Sequence, residues 1–322
     1  MNVVVTGGAG YIGGTVVTLL LAAGHQVTVI DNLCHSRREA VPEGARFFEA
    51  DLANRPQIEA VLREVKPEGV LHFAALIEAG ESMQKPDIYF RNNTASTLAL
   101  LEAMHNTGIG RLVFSSTAAV YGEPEAVPIP EDARLAPTNA YGESKLLVEH
   151  ILPWFQRVYG LRYASLRYFN VAGALPHRGE AHEPETHIIP LILDVALGRR
   201  EKILIYGDDY PTPDGTCIRD YIHVVDLADA HLLALHALDS HERLILNLGN
   251  GSGFSVKEVI DAARRVTGHP IPAEIRPRRQ GDPARLVASS GAAQQVLGWR
   301  PKHADINDIL QSAWQWHQQR YR

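Results

Sequence analysis

Two residues with complementary acid–base chemistry, Tyr141 and Lys145, lie four positions apart in a segment of helix-forming residues that follows Pro137. This spacing places both side chains on one face of a helix, where they can act together. A free tyrosine has a pKa of about 10, too high for a general base at neutral pH, but a neighbouring ammonium favours the phenolate. The pair predicts an activated tyrosine, with a simple pair on an exposed helix as the alternative.

A run of hydroxyl side chains, Ser115, Ser116 and Thr117, closes the β-like segment 111–114. In a doubly wound sheet the ligand binds at the carboxyl ends of the strands, and these hydroxyls would stand there. Thr117 could then hydrogen-bond a reacting oxygen. A hydroxyl run after a strand is often only a capping turn, but its combination with Tyr141 and Lys145 favours a catalytic role.

Glycines are concentrated in segment 6–13 (TGGAGYIG), between a β-like run and a helical run. Gly8, Gly10 and Gly13 satisfy GxGxxG, and Gly7 begins a GxxGxxG spacing. Glycine permits a tight turn and lets backbone N–H groups approach a pyrophosphate, which the helix N-terminus also attracts. An ordinary strand-to-helix turn is the alternative, but the flanking elements and a later acid favour a dinucleotide site.

That acid is Asp31, which ends the apolar run 26–30. A carboxylate there accepts hydrogen bonds from the adenosine ribose and repels a 2′-phosphate, so the sequence favours NAD over NADP. Arg37 and Arg38 could compensate, but they are better explained as part of a solvated loop. Asp51, with Leu52 after it, is expected beside the adenine, although an exposed turn acid is nearly as consistent.

Short β-branched runs alternate with longer helical patterns in the first half of the chain. The runs cover 3–5, 26–30, 45–48, 69–73, 111–115 and 162–167. This rhythm of βαβ units predicts an α/β protein with a Rossmann-type, doubly wound parallel sheet. We expect an NAD-binding domain over 1–170, to which segments near 219–248 return. A smaller α/β region for the substrate follows over 171–322.

Composition excludes several classes of function. The 322 residues are 45% hydrophobic and 21% charged, as in ordinary globular proteins. The net charge of −6, with basic residues interspersed among acids, argues against nucleic acid. No apolar stretch is long enough for a membrane span, and no secretion signal is evident. Cys34 and Cys217 are far apart and lack a metal-ligand spacing, so we expect a cytoplasmic protein without a metal or disulfides.

Several longer motifs resemble the extended short-chain dehydrogenase/reductase superfamily and, within it, the UDP-glucose 4-epimerases. They are TGGAGYIG at 6–13, DNL at 31–33, SSTAAVYG at 115–122, YFN at 168–170 and GDDYPTPDGTCIRDYIH at 207–223. The likeness covers nearly the whole chain. It implies NAD-dependent inversion at C4 of a UDP-hexose, through a transient 4-keto sugar, with UDP-galactose and UDP-glucose as the interconverting pair.

The resemblance also implies a role for each matching position. Catalysis is assigned to Tyr141, Lys145 and Thr117. The expected cofactor contacts are Gly7, Gly10, Tyr11, Ile12, Gly13, Asp31, Asn32, Asp51, Leu52, Phe73, Ala74, Ala75, Asn92, Ser115, Tyr141, Lys145 and Tyr168. The expected UDP-sugar contacts are Thr117, Tyr141, Asn170, His187, Tyr206, Arg219, Arg279 and Asp282. One departure is Ile77, where the family often has a lysine, so one cofactor contact is missing.

Rival functions are distinguished by single positions. Nucleotide-sugar 4,6-dehydratases commonly carry an acid soon after the Thr117 position, where this chain has Ala118 and Ala119. A non-catalytic NAD-binding protein is disfavoured, because it would not need Thr117, Tyr141 and Lys145 together. A dehydrogenase that exchanges its cofactor remains an alternative, because a fold does not by itself assign a reaction. A metal enzyme is disfavoured because His177, His182 and His187 are five apart and share no helix face.

Sugar specificity and assembly are left open by the sequence. Near Leu286, some members of the family have a bulky tyrosine that limits the sugar pocket. The smaller leucine keeps N-acetylated hexoses among the alternatives, together with other nucleotide sugars. The resemblance suggests a homodimer through helices near 94–106 and 145–159.

Overall fold

The computed structural model of the chain describes residues 1–182, 184–279 and 282–321. The strands are β1 (Asn2–Thr6), β2 (Gln26–Asp31), β3 (Arg46–Glu49), β4 (Gly69–His72), β5 (Arg111–Thr117), β6 (Arg162–Tyr168), β7 (Asn170–Ala172), β8 (Ile203–Tyr206), β9 (Ile218–His223), β10 (Arg243–Leu248), β11 (Gly253–Ser255), β12 (Ala273–Arg276) and β13 (Arg285–Leu286). The helices are α1 (Tyr11–Ala22), α2 (Arg55–Val65), α3 (Ala79–Ser82), α4 (Pro86–Tyr89), α5 (Ser96–Thr107), α6 (Ala140–Tyr159), α7 (Ile188–Ala196), α8 (Val224–Ala237), α9 (Val256–Thr267), α10 (Gly291–Leu297) and α11 (Ile306–Arg320). A π-helical turn, Phe90–Ala95, leads into α5.

The larger sheet contains seven parallel strands in the order β10-β6-β5-β4-β1-β2-β3. Helices α1 and α8 pack on one face, whereas α2, α5 and α6 cover the other. The strand order reverses between β1 and β4, and such a reversal opens a crevice at the carboxyl ends of the strands. The predicted doubly wound, Rossmann-type sheet is confirmed.

The central strands are apolar on both faces because helices cover both sides of the sheet. In β1, Val3 and Val5 belong to the core beneath α1 and α8, and Val4 belongs to the core on the opposite face. All three side chains are fully buried. The alternation of strand side chains thus distributes one apolar run between two cores.

The smaller region combines two short sheets with three helices. Strand β9 pairs with β7 and β13 in parallel and with β11 in antiparallel orientation, and β8 pairs with β12 in parallel. Helices α7, α9 and α11 pack together around a separate apolar core. This region faces the carboxyl ends of the larger sheet.

The chain passes repeatedly between the two regions. Strand β9 belongs to the smaller sheet, but the helix that follows it, α8, packs against α1, and β10 pairs with β6. After β11 to β13, α10 packs on α8 and β10. The segment that returns to the larger sheet therefore begins at Val224 rather than near 219, because β9 is hydrogen-bonded to the smaller sheet. A domain boundary near residue 170 remains a proposal.

Within the described part of the chain, no helix combines the length and the apolar character that a membrane crossing requires.

Candidate active site

A single cleft of about 2000 Å³ runs along the carboxyl ends of the larger sheet and continues beneath the smaller region. Its walls include all the residues for which the sequence predicted a site role: Gly7, Gly10, Tyr11, Ile12, Gly13, Asp31, Asn32, Asp51, Leu52, Phe73, Ala74, Ala75, Asn92, Ser115, Thr117, Tyr141, Lys145, Tyr168, Asn170, His187, Tyr206, Arg219, Arg279 and Asp282. The volume exceeds the roughly 300–1,000 Å³ of an ordinary small-ligand pocket. The cleft can therefore hold two large ligands end to end.

At one end of the cleft, the turn between β1 and α1 leaves no space for side chains. Gly7 has a φ of +73°, and a Cβ there would lie 2.6 Å from the Ala74 backbone nitrogen. A Cβ on Gly13 would lie 2.3 Å from the Gly7 carbonyl oxygen. Helix α1 has no side-chain cap and no acid in its first turn. Its exposed N–H groups and partial positive charge fit the diphosphate of a dinucleotide.

Asp31 joins the second strand to this turn. Its carboxylate accepts hydrogen bonds from the backbone nitrogens of Ala9, at 3.1 Å, and Leu33, at 2.9 Å, and from the Ser36 hydroxyl, at 3.1 Å. The carboxylate is thereby fixed at the end of β2, beside the glycine turn, where an adenosine ribose would lie. Nearby, the Asn32 side chain donates to Asp51, at 3.0 Å.

In the middle of the cleft, helix α6 presents Tyr141 and Lys145 to the end of β5. Asn139 caps the helix by accepting a hydrogen bond from the Gly142 nitrogen, at 2.8 Å. A side-chain hydrogen bond from Thr117 acts to lower the pKa of Tyr141. Lys145 Nζ donates to the Ser115 carbonyl, at 2.9 Å. The three predicted catalytic side chains therefore line the same cleft, where α6 packs against the end of β5.

The electrostatics of this cluster differ from the sequence-based expectation that Lys145 lowers the pKa of Tyr141. Burial raises the pKa of Tyr141 above its ordinary value, and the hydrogen bond from Thr117 opposes that rise only in part. Burial also lowers the pKa of Lys145 to about 7. Because the ammonium is itself desolvated, the protein's own groups leave the tyrosine protonated. A further positive charge in the cleft would be needed to favour the phenolate.

The opposite end of the cleft carries the long polar side chains of the smaller region. Arg219, on β9, forms an ion pair with Asp282 and donates to the Ile218 carbonyl, at 2.8 Å. The Arg279 guanidinium lies 4.1 Å from the ring centroid of Tyr206, at the end of β8. Guanidinium groups bind diphosphate oxygens through paired hydrogen bonds. This end therefore fits a second diphosphate.

His187 lies at the same end, just before α7. Burial lowers its pKa, but the hydrogen bond to Glu185, at 2.8 Å, and the charge of Glu180 outweigh burial and bring the pKa to about 9. The side chain is a cation at neutral pH and faces the cleft. In the described ranges, no three side chains of His, Cys, Asp or Glu form a group that could hold a metal ion.

One set of contacts was not predicted. Residues 173–182 and 184–187, here called the crossing segment, touch both sides of the cleft. The Tyr11 hydroxyl donates to the Gly173 carbonyl, at 2.6 Å, and Arg178 donates to the Gly10 carbonyl, at 3.4 Å. The Thr186 hydroxyl donates to Glu78, at 2.8 Å. The Pro, His and Glu-rich composition of this segment carries no motif that indicates these contacts.

Glu149 is a second omission from the sequence-based site. It lies on α6 and is paired with Arg167 of β6, next to the cleft residue Tyr168. The sequence spacing could have indicated Glu149, because positions 141, 145 and 149 follow one another on one face of a helix. Its partner, however, is distant in sequence and belongs to no motif.

Comparisons with known proteins agree with this geometry. Residues 3–249 match the model of the NAD dependent epimerase/dehydratase family. A curated UDP-glucose 4-epimerase from Corynebacterium glutamicum is 54% identical over 314 residues, which cover 98% of this chain and 95% of that protein. The chain belongs to the NAD-dependent epimerase/dehydratase family.

Solved structures of family members have the same fold. A UDP-glucose-4-epimerase from Stenotrophomonas maltophila, with bound NAD and formylated UDP-arabinopyranose, is 41% identical with a TM-score of 0.97, covering 100% of this chain and 99% of that one. A UDP-glucose 4-epimerase from Bifidobacterium longum, in complex with NAD⁺ and UDP, is 38% identical with a TM-score of 0.94, covering 99% and 98%. The resemblance to UDP-glucose 4-epimerases within this family is confirmed.

Proposed function

We propose that this chain catalyses the NAD-dependent inversion of C4 in a UDP-hexose and interconverts UDP-galactose and UDP-glucose. The observation that carries the proposal is the position of Tyr141, Lys145 and Thr117. They lie between a turn suited to a dinucleotide diphosphate and a pair of arginines suited to a second diphosphate. Two ligands bound in this way would meet at the Tyr141 hydroxyl.

NAD, when bound, would supply an acceptor and donor for the hydride of C4. The protein's own groups handle the proton and the orientation. Tyr141 Oη, as phenolate, accepts the proton of the sugar 4-hydroxyl as C4 loses its hydride, and the sugar becomes a 4-keto sugar. After the sugar turns over, C4 regains the hydride on its other face and Tyr141 returns the proton to O4. No external oxidant or reductant is consumed.

The remaining cleft residues would hold the two ligands. The glycine turn, Asp31 and Asp51 are placed to hold the adenosine diphosphate portion, and Ser115 and Tyr168 the nicotinamide side, where their hydroxyls are hydrogen-bonded to each other. The UDP portion would be held by the following residues of the smaller region: Asn170, His187, Tyr206, Arg219, Arg279 and Asp282. A positively charged nicotinamide would also help to lower the pKa of Tyr141.

A second substrate class, the UDP-N-acetylhexosamines, is favoured by one observation. Leu286 lines the cleft and packs against the apolar group that contains Ala118, Leu146 and Phe169. A leucine there leaves more space than a tyrosine would. We propose that the sugar pocket also accepts a 2-acetamido group.

The test is incubation of the purified protein with UDP-galactose and, separately, with UDP-N-acetylgalactosamine, without added NAD, followed by chromatographic resolution of the products. Conversion to the gluco epimer without net NADH is the expected result, and the ratio of the two rates measures how permissive the pocket is. No conversion of either sugar, even with added NAD, would overturn the proposal. Steady release of NADH would instead indicate a dehydrogenase.

We further propose that the chain acts as a homodimer. Helices α5 and α6 carry an exposed apolar patch formed by Leu98, Trp154, Val158 and Tyr159, with Trp154 61% and Val158 63% exposed. Large exposed apolar groups on adjacent helices are typical of an interface, and a second copy of the patch would cover them.

Light scattering should give twice the mass of one chain. Trp154→Arg should lower that mass, whereas Ile275→Arg, at an exposed position on β12, should not. A monomeric parent protein would contradict the proposal.

We also propose a cytoplasmic location. Both thiols, Cys34 and Cys217, are free, and Cys217 is buried in the core of the smaller region. Free thiols are usual where the compartment is reducing. Fractionation of the source cells should recover the protein with cytoplasmic markers, and recovery with an extracellular fraction would contradict this.

A further inference from the structure

Three consecutive residues of β5 are each tied to a different residue of α6. The Ser115 carbonyl accepts from Lys145 Nζ, at 2.9 Å, and the Ser116 hydroxyl donates to Glu149 Oε1, at 2.6 Å. The Thr117 hydroxyl bonds the Tyr141 phenol oxygen. The helix residues involved, 141, 145 and 149, are one turn apart on the same face. Two of these three ties are made by catalytic side chains, and the third is made by Glu149.

Glu149 is held more firmly than the other two helix residues. It is almost fully buried, as is Arg167, its partner on β6. Arg167 Nε donates to both carboxylate oxygens, at 3.0 and 3.2 Å, and Nη2 donates to Oε2, at 2.5 Å. The Ser165 hydroxyl adds a further bond to Oε1, at 2.8 Å. The carboxylate thus has a fixed position relative to both strands.

The arginine is fixed in turn by groups outside α6. Its Nη1 donates to the Tyr121 hydroxyl and to the Glu131 carbonyl, both at 2.9 Å. The Tyr121 hydroxyl donates to Asn247 of β10, at 2.7 Å. Every charged hydrogen-bonding group of the pair therefore has partners on the sheet or on the loop after β5. Such a network restricts the geometry of the pair, because a guanidinium fork and a carboxylate match in few orientations.

A buried ion pair is weak evidence for stability, because the cost of desolvating two charges offsets much of their attraction. A lysine bonded to a main-chain carbonyl also fixes a helix poorly, since carbonyls recur along a strand. By contrast, Glu149 bonds one side-chain hydroxyl on β5, that of Ser116, and this bond defines the height of the helix along that strand. A displacement of α6 along β5 would weaken the interaction between Thr117 and Tyr141, because hydrogen bonds weaken outside a narrow range of distances.

We propose that Glu149, held by Arg167, is a positioning residue that sets the height of α6 along β5 and thereby aligns Tyr141 and Lys145 with Thr117. It acts through Ser116 and touches no substrate or cofactor. The proposal rests on the proposed epimerase function, because alignment is measured as turnover. The first experiment is therefore the conversion of UDP-galactose by the parent protein, because it tests the epimerase function independently of the role of Glu149.

The two serines that donate to Glu149 provide a matched pair of variants. Both side chains are fully buried and both donate to Oε1, but Ser116 belongs to the catalytic strand and Ser165 belongs to β6. Ser116→Ala should lower kcat for UDP-galactose roughly tenfold, because small misplacements of catalytic groups reduce rate steeply. KM should stay within about twofold, since the UDP anchors are distant. Ser165→Ala should reduce Tm similarly and leave kcat unchanged.

A double variant separates alignment from stability. Glu149→Gln alone leaves Arg167 buried without a counter-charge and should lower both Tm and kcat. Glu149→Met combined with Arg167→Met removes both charges and should recover much of the Tm while kcat stays low. Equal kcat in the two serine variants, or recovery of kcat together with Tm in the double variant, would overturn the proposal. If the double variant does not fold, the serine pair decides the question.

Discussion

The two ends of the cleft would recognise similar chemical groups, two diphosphates, by different means. At the cofactor end the donors are backbone N–H groups of one turn, and Gly7 and Gly13 are required because a Cβ would meet backbone atoms. At the substrate end the groups are two long side chains, Arg219 on β9 and Arg279 in the loop after β12. Recognition by backbone is compact in sequence, whereas recognition by side chains is dispersed and depends on the tertiary fold.

The largest expected effect is at the junction of the two ends. Tyr141→Phe should reduce kcat about 10³-fold, because the proton acceptor is removed and general acid–base catalysis is typically worth 10²–10⁴-fold. Binding of NAD and of UDP, measured by calorimetry, should change little, because both ends stay intact. Tyr163→Phe is the control, since Tyr163 is a buried tyrosine whose hydroxyl has no hydrogen-bond partner among the described residues. Near-normal turnover by Tyr141→Phe would contradict its role.

Next in size is the effect of adding one methyl group to the backbone-recognition end. Gly13→Ala places a Cβ against the Gly7 carbonyl, so the turn must distort, and NAD affinity should fall by about 100-fold, on the order of 3 kcal/mol. UDP affinity should be unaffected. Gly291→Ala, at the start of α10 with no heavy atom near the added Cβ, is the matched control. Equal NAD affinity in both variants would show that the turn does not hold the diphosphate.

Substrate binding should depend on the planar shape of the guanidinium group at Arg219 as well as on its charge. Arg219→Lys keeps the charge but loses the guanidinium fork, one nitrogen of which pairs with Asp282 and which would bind a diphosphate. KM for UDP-galactose should rise about tenfold, with NAD affinity unchanged. Lys257→Arg on α9 controls for a basic substitution in the same region. A change in NAD affinity in Arg219→Lys would mean that the two ends are not separate.

Lys145 predicts a pH dependence of stability in the cofactor-free protein. Its pKa is about 7 in the folded protein, against 10.5 as an ordinary lysine. At a pH between these two pKa values, Lys145 carries a proton in the unfolded chain but not in the folded chain, so the free energy of unfolding rises with pH. The rise is at most about 1.4 kcal/mol per pH unit, and the contribution of Lys145 to stability is lowest below pH 7. Urea unfolding at pH 7 and 9 should show this rise in the parent protein and less of it in Lys145→Met. An equal rise in both would contradict the assignment.

The smallest effect is expected where the smaller region touches the glycine turn. Arg178→Ala removes the bond from the crossing segment to Gly10 and should speed NAD release, measured by dilution and fluorescence, by a fewfold, the size of one hydrogen bond. KM for UDP-galactose should stay constant. Arg200→Ala, a basic residue of the cleft wall that donates to the Lys202 carbonyl, is the control. Unchanged NAD release would show that the crossing segment does not restrain the cofactor.

The first half of the fold was predictable because its strands are local apolar runs between clear turns. The run 3–5 became Asn2–Thr6, and 162–167 became Arg162–Tyr168. The pairing of β8 with β12 was not predictable, since the two strands are short, distant in sequence and carry no alternating pattern of their own. The same reason explains why the start of the returning segment was expected only near 219, whereas β9 pairs with the smaller sheet.

The candidate site also combines features that local sequence predicts with features that depend on contacts between distant segments. Tyr141, Lys145 and the glycine turn follow from spacing alone, because each motif lies at a strand end or on one helix face. The Arg219–Asp282 pair and the 78–186 contact connect segments far apart in the chain. The lowered pKa of Lys145 was also hard to foresee, since the burial of Lys145 depends on how closely α6 packs on β5.

The repeated passage of the chain between the two regions limits how such a protein can be altered by recombination. Because α8, β10 and α10 complete the larger sheet and lie between segments of the smaller region, no single crossover can exchange the sugar-binding portion for another. A chimera with one splice point would either remove the edge strand β10 from the larger sheet or separate β9 from the strands with which it pairs. We therefore expect that sugar specificity in this architecture is altered more readily by point changes, such as one at Leu286 of the cleft wall, than by replacing a module.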